Sequence, residues 1–294
     1  MSIWEAIILG LVEGITEYLP ISSTGHLIIA AALLGLDGPE QKASVDAFLI
    51  VIQGGAILAV LGLYWTRVWQ MLRGLIGRDA IGRRLLVNLF IAFLPAAVLG
   101  PLLDDVIEAH LFAALPVMIA LALGGVVMIG LTRWQRKFFT GDGHHDPANA
   151  RSYVDLEHLT WRRALLIGSL QCVAMWPGTS RSMMTIVGGM VGGLRPKEAA
   201  EFSFLLGLPT LGGACVYSLA KNITGAEQSM FDTLGAMPLV VGIAVATLSA
   251  ALAIKWLVGY LARRGVAIFG WYRLALCAVL GALWWSGQVT FGGV

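Results

Sequence analysis

A few ionisable side chains lie inside apolar segments of this chain, where burying a charge is costly. Glu13 and Glu17 are four residues apart, so a helix would carry them on one face. His26 follows a polar turn shortly after them, and Arg181 occupies a second polar turn. Two like charges in a low dielectric repel, so the carboxylates need a cation, a shared proton or a basic partner. The four side chains are therefore functional candidates; the alternative is an ion pair that only locks two segments together.

Hydroxyl-bearing and small residues surround these charges. Hydroxyls can bind oxyanions, glycine lets backbone N–H groups approach them closely, and a helix N-terminus adds its positive dipole. An arginine supplies a planar fork for two phosphate oxygens. Helix capping explains several of the Ser and Thr residues, but it does not explain Arg181. The surrounding set is Ser22, Ser23, Thr24, Gly25, Thr179, Ser180, Ser182 and Thr185.

Together these groups are typical of phosphoryl transfer. Glu13 and Glu17 could bind a divalent cation, and Arg181 with the hydroxyls could bind phosphate. Three nucleophiles are compatible with the residues: Ser23 attacks directly, His26 attacks or acts as a base, or a metal-activated water attacks. Because the site lies among apolar segments, we expect the substrate to be a lipid with a phosphorylated head group.

The composition indicates an integral membrane protein. The 294 residues have a mean hydropathy of +0.79 and only 13% charged residues, about half the charged fraction of a soluble domain. The net charge of +2 gives no argument for a nucleic-acid partner, and the three widely spaced cysteines show no metal-ligand or disulfide pattern. Six apolar runs are long enough to span a bilayer. They cover about 45–65, 85–103, 111–132, 203–220, 234–258 and 271–290.

Two further apolar regions, 3–36 and 163–194, are interrupted by polar, turn-forming residues. The interruptions are the segments 20–26 and 177–182, each of which begins with proline. The arm on either side is too short to span, so each region is expected to be a re-entrant hairpin buried in protein.

The basic residues set the predicted orientation. They fill the loops after the first and third spans, follow the second hairpin, and precede the last span, where they include Lys255, Arg263, Arg264 and Arg273. Treating both broken regions as hairpins puts all of these on the cytoplasmic face. Both termini are then expected on the outer, periplasmic face.

The same map predicts an all-α polytopic fold with an inverted repeat, each half being a re-entrant helical hairpin plus three transmembrane helices. Residues 1–294 form a single membrane domain, with repeat 1 at about 1–132, a cytoplasmic loop at about 133–162 and repeat 2 at about 163–294. Local echoes agree, because Pro-x-Ser-Ser at 20–23 matches Pro-x-Thr-Ser at 177–180. The two polar tips should therefore meet near the bilayer middle. The Gly-Asp-Gly-His-His-Asp segment at 141–146 is interpreted as solvated loop, not as a metal site.

The segments 13–26 and 177–182 closely resemble the two signature motifs of the bacterial undecaprenyl-diphosphate phosphatases, the bacitracin-resistance family. The resemblance covers essentially the whole chain. It implies hydrolysis of undecaprenyl diphosphate to the monophosphate, which recycles the carrier lipid of cell-wall synthesis, in the bacterial inner membrane. It also implies a divalent cation, Mg²⁺ or Ca²⁺, and an active site open to the outer, periplasmic face, and it is compatible with a homodimer. The family roles carry over to Glu13, Glu17, Ser23, His26 and Arg181. Met183-Met184 departs from the family pattern, where Gly-Ala is usual.

Two other classes share parts of this pattern. Inverted repeats and broken helices are also typical of secondary transporters, including a flippase for a polyprenyl phosphate lipid. A second lipid-phosphatase family has motifs echoed by Ser180-Arg181 and Gly25-His26, but Val187 stands where its second histidine is required. The second family is therefore set aside, and release of inorganic phosphate distinguishes the enzyme from the transporter.

Overall fold

A computed structural model describes residues 1–36, 38–111, 113–139, 153–224 and 230–286. Over these ranges the secondary structure is helical, apart from turns and one 3-10 turn at Leu156–His158. The helices are α1 (Ile3–Thr16), α2 (Ser23–Leu33), α3 (Pro39–Leu63), α4 (Trp65–Leu75), α5 (Ala80–Leu111), α6 (Ala114–Phe139), α7 (Trp161–Val173), α8 (Arg181–Val191), α9 (Pro196–Thr224), α10 (Met230–Leu234), α11 (Ala236–Arg264) and α12 (Ala267–Trp285).

Six of these helices are long and apolar enough to cross a bilayer, which confirms a multi-pass membrane protein. They are α3, α5, α6, α9, α11 and α12, one for each predicted span. Several helices are longer than the predicted apolar runs, because the more polar residues at their ends are also helical. Basic residues assigned to loops therefore lie largely within helix ends, as Arg83 does in α5 and Arg263 in α11.

The two interrupted regions each fold as two short helices joined by a turn, as the proline and serine positions predicted. α1 is the longest of the four arms at 14 residues, about 21 Å of helix against a hydrocarbon core of about 30 Å. Ser22 and Ser180 stand directly before α2 and α8 with φ of 74° and 75°. A positive φ costs a side-chain-bearing residue strain, so both turns are held by their surroundings.

The two halves of the chain share one register of backbone turns. Ser22 and Ser180, Gly35 and Gly193, and Gly77 and Gly235 are three pairs with positive φ, and each pair is 158 residues apart. α2 and α8 also begin and end 158 residues apart. The sequence echo falls one residue outside this register, because Pro20 and Pro177 are 157 residues apart.

Packing between the halves follows the same register. α1 packs along α11, and α7 packs along α5. Both contacts are close because glycine faces the neighbouring backbone: a Cβ at Gly14 would overlap Ser249, and one at Gly168 would overlap Ala92. Small residues at helix contacts are a common means of close approach in membranes.

Polar contacts identify which helix ends lie together. Arg67, just after α3, donates to Glu201 near the start of α9 at 2.9 Å and to Glu157 at 3.2 Å. At the other end of α3, Ser44 donates to Thr233 in α10, the short helix that follows α9. α3 and α9 therefore run in opposite directions.

Candidate active site between the two hairpin turns

Two contacts join the turn of the first broken region to that of the second. The Arg181 Nη2 donates to Glu17 Oε1 at 2.7 Å, and Ser182 Oγ donates to the Leu19 carbonyl at 2.9 Å. The prediction that the two polar tips meet is confirmed. The partners are 163 or more residues apart in the chain, so only the tertiary fold brings these groups together.

Glu17 is the centre of this junction. Its side chain is 6% exposed and has both oxygens engaged. Oε1 accepts from Arg181, and Oε2 accepts a 2.6 Å hydrogen bond from Ser23 Oγ. A hydroxyl this close to an ionised carboxylate has a ready acceptor for its proton. Chemically, such an arrangement can supply a nucleophile, a base and a group that orients the base.

Arg181 is held from several sides. Nη1 donates to the Ser203 carbonyl in α9 at 3.1 Å, and the guanidinium carbon lies 5.4 Å from the centre of the Tyr18 ring. Nε is buried without a hydrogen-bond partner among the described residues. A buried donor without a partner is costly, so Arg181 retains donor capacity beyond its ion pair with Glu17.

The serines that precede α2 and α8 act differently as caps. Ser180 Oγ accepts from the Met183 N–H at 3.3 Å and lies 3.1 Å from Ser182 Oγ. Ser22 makes no side-chain capping bond to α2 in the described structure. The first N–H groups of α2 are thus left without a side-chain cap, and capping does not account for Ser22.

A cavity of about 130 Å³ opens at the junction. It is lined by Glu17, Ser22, Ser23, Thr24, Gln53, Ala174, Pro177, Gly178, Ser180, Arg181 and Leu211. Among the predicted site residues, Glu13, Gly25, His26, Thr179 and Ser182 are not in this lining. Met183 and Met184 are both buried and also lie off the cavity wall, so the departure from the family pattern does not alter the lining.

His26 lies against α12. Its Nδ1 is 2.7 Å from the Ser22 carbonyl, and its Nε2 is 2.7 Å from the Tyr272 hydroxyl. The imidazole and the Tyr272 ring are nearly parallel, 8° apart, with centroids separated by 5.7 Å. The imidazole nitrogens therefore contact Ser22 and Tyr272, and neither contacts Ser23.

Glu13 is fully buried one turn before Glu17. Both of its carboxylate oxygens lack a hydrogen-bond partner in the described part of the chain. Such a carboxylate is costly unless something else compensates it.

Arg273 is a functional candidate that the sequence interpretation counted among the basic residues before the last span, on the cytoplasmic face. Arg273 does not precede that span: it lies within α12 and is fully buried. Its side chain donates to carbonyls of α6 and to the Gly178 carbonyl in the second turn, the latter at 2.8 Å. A signal was available, because Arg273 falls inside the predicted span 271–290, where a charge is as unusual as at Arg181.

No group of three or more His, Cys, Asp or Glu side chains that could hold a metal occurs in the described ranges. The acidic and histidine-rich segment 141–146 lies outside those ranges.

Comparison with known proteins gives one consistent result. Residues 6–279 match the family model described as bacitracin resistance protein BacA. The chain is 46% identical over 282 residues to the undecaprenyl-diphosphatase of Sorangium cellulosum, covering 96% of this chain and 85% of that protein. It is 46% identical over 288 residues to undecaprenyl-diphosphatase 2 of Rhodospirillum rubrum, covering 98% and 97%. It is also 43% identical to the undecaprenyl-diphosphatase of Polaromonas naphthalenivorans, covering 98% and 97%.

Proposed function

The chain belongs to the family of bacitracin resistance protein BacA, and we propose that it hydrolyses undecaprenyl diphosphate at the cavity between its two turns. The products are undecaprenyl phosphate and inorganic phosphate, so the enzyme recycles the carrier lipid of cell-wall synthesis. Relatives named undecaprenyl-diphosphatase match nearly the whole chain at 43–46% identity. The observation that carries the proposal is the Ser23–Glu17–Arg181 contact at the cavity wall.

Ser23 is the proposed nucleophile. Its hydroxyl lies 2.6 Å from Glu17 Oε2, within reach for proton transfer. Ser23 Oγ bonds to the terminal phosphorus, Glu17 takes the hydroxyl proton, and the bond from that phosphorus to the bridging oxygen breaks. The prenyl monophosphate leaves, and water then hydrolyses the phosphoserine. His26 is the less favoured nucleophile, because both of its ring nitrogens are engaged with Ser22 and Tyr272.

The charge that develops on the phosphoryl oxygens needs preorganised donors. Arg181 lines the cavity with a guanidinium that keeps unused donor capacity. The N-termini of α2 and α8 begin at Ser23 and Arg181, so both helix dipoles favour an anion there. Ser22, Thr24 and Ser180 add hydroxyls to the same wall, with Gly25, Thr179 and Ser182 as supporting members of the two turns.

A divalent cation, Mg²⁺ or Ca²⁺, is proposed as the cofactor. The donor set fits it: both oxygens of Glu13 are buried without a partner among the described residues, and Glu17 follows one turn later. Carboxylate oxygens are the ligands that these hard cations prefer. When bound, the ion would offset the negative charge of the diphosphate. Glu13 would then be the principal ligand. Glu17 would be a second ligand, although its oxygens also accept hydrogen bonds from Arg181 and Ser23.

The membrane orientation is also a proposal. α1, α2, α7 and α8 are each too short to cross, and their turns are buried among other helices, which supports re-entrant hairpins. The ion pairs of Arg67 with Glu157 and Glu201 gather the basic helix ends on one face, which is cytoplasmic by the positive-inside rule. Both termini and the site opening then lie on the periplasmic side.

An inverted repeat is supported by backbone register and by helix direction. The three pairs of positive-φ residues share a separation of 158 residues, and the equivalent helices α3 and α9 run in opposite directions. Opposite orientation is what an odd number of crossings per half produces.

A homodimer remains part of the proposal, to be tested by light scattering of the purified protein in detergent.

The experiment measures phosphate release from a polyprenyl diphosphate by purified protein, with and without chelator. We expect wild-type turnover that chelator removes, loss of turnover and of phosphoserine in Ser23→Ala, and a smaller loss in Ser22→Ala. A phosphoenzyme trapped on His26, or full activity in Ser23→Ala, would overturn the nucleophile. Movement of labelled lipid between leaflets of a vesicle without phosphate release would instead support the flippase, which the opposed helix directions favour as second candidate.

A further inference from the structure

Arg273 and Tyr272 are neighbours on α12 that contact different hairpins. Arg273 reaches the turn of the second hairpin at Gly178, and Tyr272 reaches the first hairpin at His26. Consecutive helical residues point about 100° apart, so one helix can serve both turns.

Arg273 is buried with no carboxylate partner among the described residues. Its Nε donates to the Leu121 carbonyl at 3.2 Å, and its Nη2 donates to Ala120 at 3.1 Å and to Gly178 at 2.8 Å. A buried cation compensated only by carbonyl dipoles is expensive. Bulk packing would be served better by an apolar residue of similar volume.

The second turn is held at both ends of one peptide group. The Gly178 carbonyl accepts from Arg273, and the Thr179 N–H of the same peptide donates to the Trp176 carbonyl at 3.1 Å. Gly178 has φ of 90° and lines the cavity three residues before Arg181. Holding this peptide therefore fixes the turn from which Arg181 projects.

The first turn is held in a matching way through His26. A carbonyl oxygen only accepts, so the 2.7 Å contact to Ser22 requires a proton on Nδ1. In the neutral ring Nε2 then accepts from the Tyr272 hydroxyl. The Ser22 carbonyl belongs to the peptide whose nitrogen is that of Ser23, so the chain Tyr272–His26–Ser22 fixes the backbone of the proposed nucleophile.

We propose that Tyr272 and Arg273 are positioning residues for phosphoryl transfer: Arg273 fixes the turn that carries Arg181, and Tyr272 fixes the backbone of Ser23 through His26. This inference rests on the proposed function. A misplacement of about 1 Å in such a site costs on the order of 10²-fold in rate. Loss of either contact should lower kcat and leave KM nearly unchanged, because no substrate contact is removed.

The first test displaces the Arg273 side chain through a neighbouring residue and, separately, replaces Arg273 by lysine. A Cβ at Gly124 in α6 would lie 2.5 Å from Arg273 Nη2 and 2.8 Å from Met183 Sδ, so Gly124→Ala displaces the guanidinium. Gly130→Ala is the matched control, because nothing lies within 4 Å of a Cβ at that position in the same helix. We expect kcat per folded molecule to fall about 10- to 100-fold in Gly124→Ala and in Arg273→Lys. In Gly130→Ala we expect kcat to stay at the wild-type value. Wild-type kcat in both perturbed variants, or a loss that only follows the folded fraction, would overturn the role of Arg273.

The second test removes one hydroxyl. Tyr272→Phe keeps the ring beside His26, and Tyr217→Phe on the exposed side of α9 is the control. We expect kcat to fall about 3- to 10-fold and the ¹⁵N resonances of His26, assigned with His26→Gln, to lose the Nδ1-protonated pattern. Unchanged kcat and unchanged resonances would overturn the role of Tyr272. If wild type and both controls release no phosphate, the proposed function fails, and the resonances still decide whether Tyr272 orients His26.

Discussion

Replacing Arg181 by lysine distinguishes a catalytic role of the planar guanidinium from a purely structural ion pair with Glu17. In the fold, Arg181 donates from Nη2 to Glu17 and from Nη1 to the Ser203 carbonyl, and lies over the Tyr18 ring. Lysine keeps the charge, but its compact ammonium cannot hold Glu17 and bind two phosphate oxygens together. The variant thus tests geometry at constant charge.

The expected loss follows from the contacts. A hydrogen bond to a charged group contributes about 1.5–3 kcal/mol, or about 10- to 150-fold in rate when it forms only in the transition state. Removing a preorganised donor entirely costs about 10²–10³ in kcat. We therefore expect about 10² for Arg181→Lys and the full range for Arg181→Ala. The alanine variant also leaves Glu17 buried without its partner, at about 3–5 kcal/mol of stability, so its folded yield should fall.

The assay is phosphate release from a polyprenyl diphosphate, normalised to folded protein from size exclusion in detergent. Arg67→Lys is the matched control, because Arg67 also pairs with carboxylates but lies about a quarter exposed at the helix ends. That control should keep its turnover, since partly exposed pairs contribute little. Near-normal turnover in Arg181→Lys with reduced yield in Arg181→Ala would refute the catalytic role and leave a structural lock.

Three further outcomes are expected. Glu17→Gln should lower turnover about 10²- to 10⁴-fold, because the amide cannot take the Ser23 proton; activity within tenfold of wild type would exclude Glu17 as base. Glu13→Gln should fold normally and require more Mg²⁺ or Ca²⁺ for half-maximal activity, since neutral Gln is easier to bury; an unchanged cation titration would remove Glu13 as ligand. In a cysteine-free background, an impermeant thiol reagent on intact cells should label Ser286→Cys and spare Arg78→Cys, and the reverse pattern would invert the proposed orientation.

Local pattern was enough to predict the membrane-spanning helices. A bilayer requires about twenty apolar residues per crossing, so composition and run length predicted six spans that the fold confirms. Proline interrupts a helix because it lacks a backbone N–H, and serine favours turns through side-chain hydrogen bonds to the backbone, so both broken regions were also predictable. The charged residues of the site were also recognisable from the sequence, because a charge inside an apolar segment is costly and usually serves a function.

The pairings at the site were decided by tertiary structure. Glu17 and Arg181 lie 164 residues apart, and nothing local specifies which oxygen accepts or that Ser23 takes the other. His26 was a candidate by type, yet its contacts with Ser22 and Tyr272 arise from the approach of α12. The sequence interpretation grouped Arg273 with the basic residues that precede the last span, on the cytoplasmic face. Charge patterns report which face of the membrane a helix end occupies, whereas burial of one side chain depends on which helices pack around it.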